Sequence, residues 1–135
     1  MTTIAYDGKY LAVDSQLTCD NTFKVYQNKL WKFNHGVFTV TGEWTDYPEF
    51  QAMLNDEKQE AVVSKKCLCI FARDGKVYEW WPRHKPMQMV KRCAQGSGKE
   101  LAVGAMYAGA TAIEAVRIAT RLDPFSGGKV NWVEV

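Results

Sequence analysis

The sequence has no run of about eighteen apolar residues, so no stretch of it reads as a membrane-spanning helix. Asp7, Lys9 and Asp14 interrupt the opening segment, which excludes the apolar centre of a secretory signal, and a cytoplasmic location is expected. Neither sign of charge dominates: 17 Lys and Arg stand against 15 Asp and Glu, a net charge of +2. Because those cations are spread along the chain, the electrostatic footprint of a nucleic-acid-binding protein is missing. Metal ligands are scarce as well. The only histidines are His35 and His84, and the four cysteines are Cys19, Cys67, Cys69 and Cys93. Cys67-x-Cys69 would share one face of a strand, yet zinc wants more ligands at better spacing, so no metal is expected. Four cysteines in a chain of this length are not a disulfide framework, and reduced, buried thiols are expected. There is no Gly-x-x-x-x-Gly-Lys-Ser/Thr loop, no Gly-x-Gly-x-x-Gly after a strand and no His-Glu-x-x-His. The GSGK at 96–99 is half a phosphate loop without its upstream glycine, so no cofactor is expected.

What remains is ordinary in bulk and informative in pattern. A chain of 135 residues with 47% hydrophobic and 13% aromatic content suits one compact domain over 1–135 with a real core. Thr2 to Ala5 and Tyr10 to Val13 flank Asp7-Gly8-Lys9, a tight hairpin. NTFKVYQNKLWKF and HGVFTVTG alternate apolar and polar residues around Asn34-His35-Gly36, a second hairpin, which makes four strands before residue 43. In WTDYPEFQAMLNDEK the period changes: Thr45 or Asp46 is the N-cap, Pro48 lies in the first turn, and Phe50, Met53 and Leu54 share a face. KKCLCIFARDGKVYEWWP reads as strand, Asp-Gly turn and strand closed by Pro82, and MQMVKRCAQ as a further strand. KELAVGAMYAG is a helix stopped near Gly109. Thr111 and Glu114 form a capping box for another, with Ala112, Ala115, Val116 and Ala119 on one face and an end before Pro124. Gly127-Gly128 turns into a last strand, KVNWVEV. Strands, a helix, strands, two helices and a strand make an α+β order, with two sheets covered by helices.

Short polar islands interrupt these strands: Asp14 in LAVD, Lys29 in QNKLWKF, Gly42 in TVTG, Ser97 in GSG, and Asp123 with Ser126 in LDPFSGG. Singly, each reads as a turn residue or a solvated edge lysine. They gain meaning from MTTIAYDG, because a threonine hydroxyl is a weak nucleophile that needs a base beside it. An N-terminal threonine carries its own: an α-amine with a pKa of about 8. A nearby lysine would lower the hydroxyl pKa, an aspartate would hold that lysine, and glycine N–H groups would stabilise an oxyanion.

These islands, in this order, resemble the proteasome β-subunit family of N-terminal-nucleophile hydrolases, which includes the bacterial HslV peptidase. MTTIA is similar to the family's processed start, LAVDSQLT to its Asp-containing second strand, NKLWKF to its Lys-containing strand, TVTG to its oxyanion strand and GSG to its serine-glycine turn. RLDPFSGGKVNWVEV resembles the Asp-x-x-Ser-Gly-Gly segment that enters the last strand. The resemblance spans nearly the whole chain and implies a four-layer αββα sandwich of two antiparallel sheets. It makes Thr2 the nucleophile once Met1 is removed, Lys29 the activating cation and Asp14 the carboxylate that orients it. Gly42 would donate to the oxyanion, and Ser97, Asp123 and Ser126 would surround the α-amine. Thr18 would pair with an extended substrate, and Trp31, Val40 and Trp44 would line the substrate pocket. Thr3 competes with Thr2, but only Thr2 leaves the hairpin up to Asp14 shorter than the family's by an even number of residues, which keeps side chains on their faces.

Two departures accompany the resemblance. The stretch from Gly42 to Gly96 is short, with room for one good helix in place of two, a reduced helical layer. Trp31 and Trp44 are bulky enough to make the pocket shallow, or they are ordinary core aromatics. The implied activity is a threonine-type endopeptidase acting on peptides or unfolded protein inside a homo-oligomeric ring, fed by a separate ATP-dependent unfoldase. A catalytically silent shell protein and a small-amide hydrolase are the alternatives.

Overall fold

A computed structural model describes residues 2–19, 22–42, 44–56, 67–81 and 83–135. Met1, Pro82 and the extension of the first helix past Asp56 lie outside them. The chain forms two compact units, one from the residues up to Lys29 together with Val90–Glu134, the other from Leu30–Met89 with Val135.

In the first unit, β1 (Thr3–Tyr6) and β2 (Tyr10–Val13) pair as the expected antiparallel hairpin. Asp7 organises its turn: Oδ1 accepts from the Lys9 and Tyr10 N–H groups, both at 2.8 Å, and Gly8 takes φ +102°. With β10 (Cys93–Gly96) and β11 (Asn131–Glu134) they form a sheet in the order β10-β1-β2-β11. Two helices, α2 (Lys99–Tyr107) and α3 (Ala112–Leu122), pack on it. Alternation along the strands sends Ala5, Ala12 and Ala94 towards those helices. They meet Ala102, Ala112, Ala115, Val116 and Ala119, and such small side chains bring helix and sheet close. The capping box holds, with Thr111 Oγ1 accepting from the Glu114 N–H at 3.2 Å. Asp7 Oδ2 also accepts from the Ala112 N–H, so the hairpin turn anchors the start of α3.

β3 (Gln16–Cys19) and β4 (Phe23–Tyr26) form a separate two-stranded ribbon, all four residues of β4 being exposed. This corrects the sequence reading twice. LAVDSQLT breaks at Asp14-Ser15, and NTFKVYQNKLWKF contains two strands parted by Gln27–Leu30, so six strands precede residue 43 and Lys29 lies in the break. Alternation of polarity continues through such a break, which is why it left no mark in the pattern.

In the second unit, β5 (Trp31–Phe33), β6 (Gly36–Thr41), β7 (Leu68–Arg73), β8 (Lys76–Trp80) and β9 (Met87–Gln88) form an antiparallel sheet in chain order. Asp74 and Gly75 turn β7 into β8 with φ +52° and +75°, the positive pair that a two-residue hairpin loop requires. A 3₁₀ turn over Trp44–Asp46 leads into α1 (Tyr47–Asp56), whose Phe50, Met53 and Leu54 enter a core with Phe33, Phe38, Val40, Phe71 and Trp80. Among the described residues α1 is the one helix here, as the short stretch predicted. MQMVKRCAQ is no single strand: its ends are β9 in this sheet and β10 in the other. Cys67, Cys69 and Cys93 are unbridged. Burial pushes the Cys69 thiol well above its ordinary range, as expected of an inert core residue. Cys93 departs from the expectation, being only half-buried, with its S–H donated to Val90 O.

Candidate active site

The first unit assembles seven polar side chains around its N-terminal strand. Successive residues of a strand face opposite ways, and this parts the two threonines. Thr3 lies on the face of Ala5, beside α3. Thr2, anchored by the Ser97 N–H donating to its carbonyl at 2.8 Å, lies on the other.

Thr2 Oγ1 accepts a hydrogen bond from Lys29 Nζ at 2.9 Å. The same ammonium donates to Asp14 Oδ1 and to the Gln16 carbonyl, both at 2.8 Å, so its three protons meet three acceptors. Lys29 and Asp14 are fully buried, and Lys29 is among the largest fully buried side chains of the described residues. Burial pulls the Lys29 pKa down and the Asp14 charge pushes it back up, with the net shift downward. Asp14 itself accepts four bonds: Thr3 N–H (3.1 Å) and Lys29 on Oδ1, Gln16 N–H (3.3 Å) and Gly127 N–H (3.0 Å) on Oδ2. Four donors so placed hold the buried carboxyl group of Asp14 in position under the lysine.

On the other side of Thr2 lies a hydroxyl–carboxylate cluster. Asp123, at the C-cap of α3, accepts from Ser97 Oγ at 2.5 Å and Ser126 Oγ at 2.6 Å, both on Oδ2, while Oδ1 accepts from the Phe125 N–H at 3.2 Å. Burial raises its pKa, but the bonds from Ser126, Ser97 and Phe125 lower it further, and the net shift is downward. Asp123 is therefore ionised at neutral pH and donates nothing. Both serine protons point to it, so the 2.6 Å contact between Thr3 Oγ1 and Ser126 Oγ is a bond that Thr3 donates. Ser97 Oγ also lies 3.4 Å from the Thr2 carbonyl oxygen, a second and longer acceptor for its proton.

The structure thus brings together Thr2, Asp14, Lys29, Ser97, Asp123 and Ser126. Thr18 is half-buried on β3, its hydroxyl accepting from Gln16 Nε2 at 3.0 Å. The four remaining candidates belong to the second unit. Gly42 follows β6 with φ +94°, a conformation that favours glycine. Val40 is fully buried in the core beneath α1. Trp31 stacks on Tyr47 with ring centres 4.4 Å apart, the packing alternative for this residue, and Trp44 is half-buried in the 3₁₀ turn. Sequence reasoning passed over Gln16 and Gly127. One signal was available for the former: Asp14, Gln16 and Thr18 recur at a spacing of two, on one side of an extended segment.

The antiparallel sheets, few helices and buried Thr–Lys–Asp cluster define the class: the chain has the fold of the proteasome-like N-terminal-nucleophile hydrolases. Among solved structures it is similar to BPH from Thiobacillus denitrificans in complex with epoxomicin, with 18% identity and a TM-score of 0.72 over 99% of this chain and 97% of that one. The eukaryotic HslV from Trypanosoma brucei is similar at 20% identity, with a TM-score of 0.67 over 98% and 97% of the two chains. The Anbu complex from Pseudomonas aeruginosa, solved as a helical assembly, is similar at 10% identity, with a TM-score of 0.63 over 99% of this chain and 80% of that one. No protein-family model and no curated protein sequence matches the chain.

Proposed function

We propose that this chain is a threonine-type endopeptidase whose nucleophile is Thr2 after removal of Met1. The observation that carries the reading is the fully buried Lys29, with one proton on Thr2 Oγ1 and the other two held by Asp14 and Gln16. A lysine costs several kcal/mol to bury even when paired (about that order), and here its charge bears on one hydroxyl. In the proposed reaction the α-amine of Thr2 takes the hydroxyl proton while Lys29 stabilises the incipient alkoxide. Attack on a peptide carbonyl forms a tetrahedral intermediate, and the amine returns its proton to the departing nitrogen. That leaves an ester between Thr2 Oγ1 and the acyl half, which water attacks with the amine again as base. Ser97 and Ser126, their own protons committed to Asp123, accept from the amine and steer its lone pair. The oxyanion role of Gly42 and the pocket roles of Thr18, Trp31, Val40 and Trp44 rest on the family resemblance, as do a homo-oligomeric assembly, a separate unfoldase and a cytoplasmic location.

Epoxomicin, bound in the similar BPH structure, supplies the first probe. Intact mass is expected to show the chain without Met1, and peptide mapping is expected to place an epoxomicin adduct on Thr2. Thr2→Ala should abolish both the adduct and the turnover of fluorogenic peptides. A chain that keeps Met1, with peptide turnover indifferent to Thr2→Ala, would sink the reading. One observation favours a second reading, a silent shell protein: Thr2 is only 2% exposed. A retained Met1 with no adduct is the result that selects it.

A further inference from the structure

The Gln16 side chain takes part in no step described above, yet it is 1% exposed and both of its amide protons are used. Nε2 donates to Thr18 Oγ1 and to the Pro124 carbonyl, each at 3.0 Å. Gly127 lies so close that a Cβ there would overlap Gln16 Oε1. The segment Pro124–Gly127 serves both halves of the cluster. Its Gly127 N–H donates to Asp14, the carboxylate under Lys29, and its Ser126 hydroxyl joins Asp123 to Thr3. The Ser15 N–H, donating to the Gly127 carbonyl at 3.1 Å, is a second tie between the same stretches.

We propose that the Gln16 amide is a positioning residue: it clamps the 124–127 loop against β3 and so sets the Asp14–Lys29 pair and the Ser126–Asp123 pair at their working separation about Thr2. Its consequence for catalysis rests on the peptidase reading; the clamp does not. The chemistry calls for a side chain with two N–H donors. An ionised glutamate would turn lone pairs towards the Pro124 carbonyl, and methionine would offer that carbonyl no donor. With the loop released, Gly127 no longer donates to Asp14, and Ser126 shifts against the α-amine.

The test compares Gln16→Met and Gln16→Glu with wild type, neither change touching the backbone carbonyl that binds Lys29. In Gln16→Met, hydrogen exchange at the Gly127 amide is expected to quicken about tenfold or more while amides of the β1–β2 ladder keep their rates. Thr2-dependent peptide turnover should lose about tenfold or more in kcat at nearly unchanged KM. Gln16→Glu should match Gln16→Met near pH 8 and regain part of the loop protection and kcat relative to wild type as pH falls to about 4, below the ordinary glutamate pKa of about 4.3, where a protonated carboxyl again donates to the Pro124 carbonyl. Wild-type exchange at Gly127 in both variants, or parallel pH behaviour of the two, overturns the proposal. If wild type itself shows no Thr2-dependent turnover, the peptidase reading fails while exchange at Gly127 still decides the clamp. Should Gln16→Met not fold, Gln16→Glu measured at the two pH values carries the comparison alone.

Discussion

Lys29 shows how much one residue can be asked to hold. Its ammonium is fully buried, and its partner Asp14 has no solvent to fall back on. Lys29→Met should therefore cost stability as well as activity: removing one member of a buried pair is worth about 3–5 kcal/mol. Urea unfolding is the measurement, and adding Asp14→Asn should recover part of that loss without recovering turnover. The pH dependence follows from the same groups. The α-amine must be neutral to act as base, so kcat/KM is expected to rise with pH through about 8. Lys29 must be protonated, and because burial lowers its pKa the rate should fall again at a pH below the range of an exposed lysine. A profile that stays flat on the alkaline side into that range would mean the Lys29 charge is not used. Thr2, Asp14 and Lys29 stood out in the sequence as residue types in the order of the family they resemble, and the structure brings them into contact. Gln16 was not, because its importance lies in a bond to Pro124, 108 residues away in sequence.

At the scale of elements, strand geometry depends on a few backbone positions. Gly96 ends β10 opposite Thr3 with φ +98°, and a Cβ there would overlap the Thr2 carbonyl. Gly96→Ala is expected to cost about 1–3 kcal/mol in backbone strain alone and to displace Thr2, so thermal stability and peptide turnover should fall together. Asp7 ties the first hairpin to α3 through three N–H groups. Burial raises its pKa, but the bonds from Tyr10, Ala112 and Lys9 outweigh it, and the net shift is downward. A carboxylate whose folded pKa is depressed contributes stability that is present above its unfolded value of about 3.9 and is lost as pH falls through the lower folded value. Asp7→Asn should accordingly be less stable than wild type near neutrality, with the gap in Tm closing as pH falls past the ordinary aspartate value of about 3.9 and through the lower folded one. The hairpin, the capping box and α1 were legible because turn residues and apolar periodicity act locally. The breaks at Asp14-Ser15 and Gln27–Leu30 were not, because polarity alternates through them without a glycine or proline to mark the change.

For the molecule as a whole, assembly is the expectation that solution measurement decides most directly. β4 exposes Phe23, Val25 and Tyr26, and α3 exposes Leu122, more apolar surface than single scattered residues need. Sedimentation at micromolar concentration is expected to give a species several times larger than one 135-residue chain. A strictly monomeric species that still labels at Thr2 would detach the peptidase from the ring.

By itself the sequence determined the α+β order of elements and the residue types available for chemistry. Hydrophobic period, capping signals and the polar islands are local properties, written within a few residues of one another. It also favoured Thr2 over Thr3, since the faces of a strand follow from counting residues. Only the tertiary structure decided that Lys29 sits in a break between strands, with three acceptors for three protons. It likewise decided that Asp123 takes both serine protons, and that Gln16 and Gly127 join the two halves of the cluster. Those facts depend on contacts between segments as much as 123 residues apart, as between Thr3 and Ser126, whose distances are set by packing and not by any local preference.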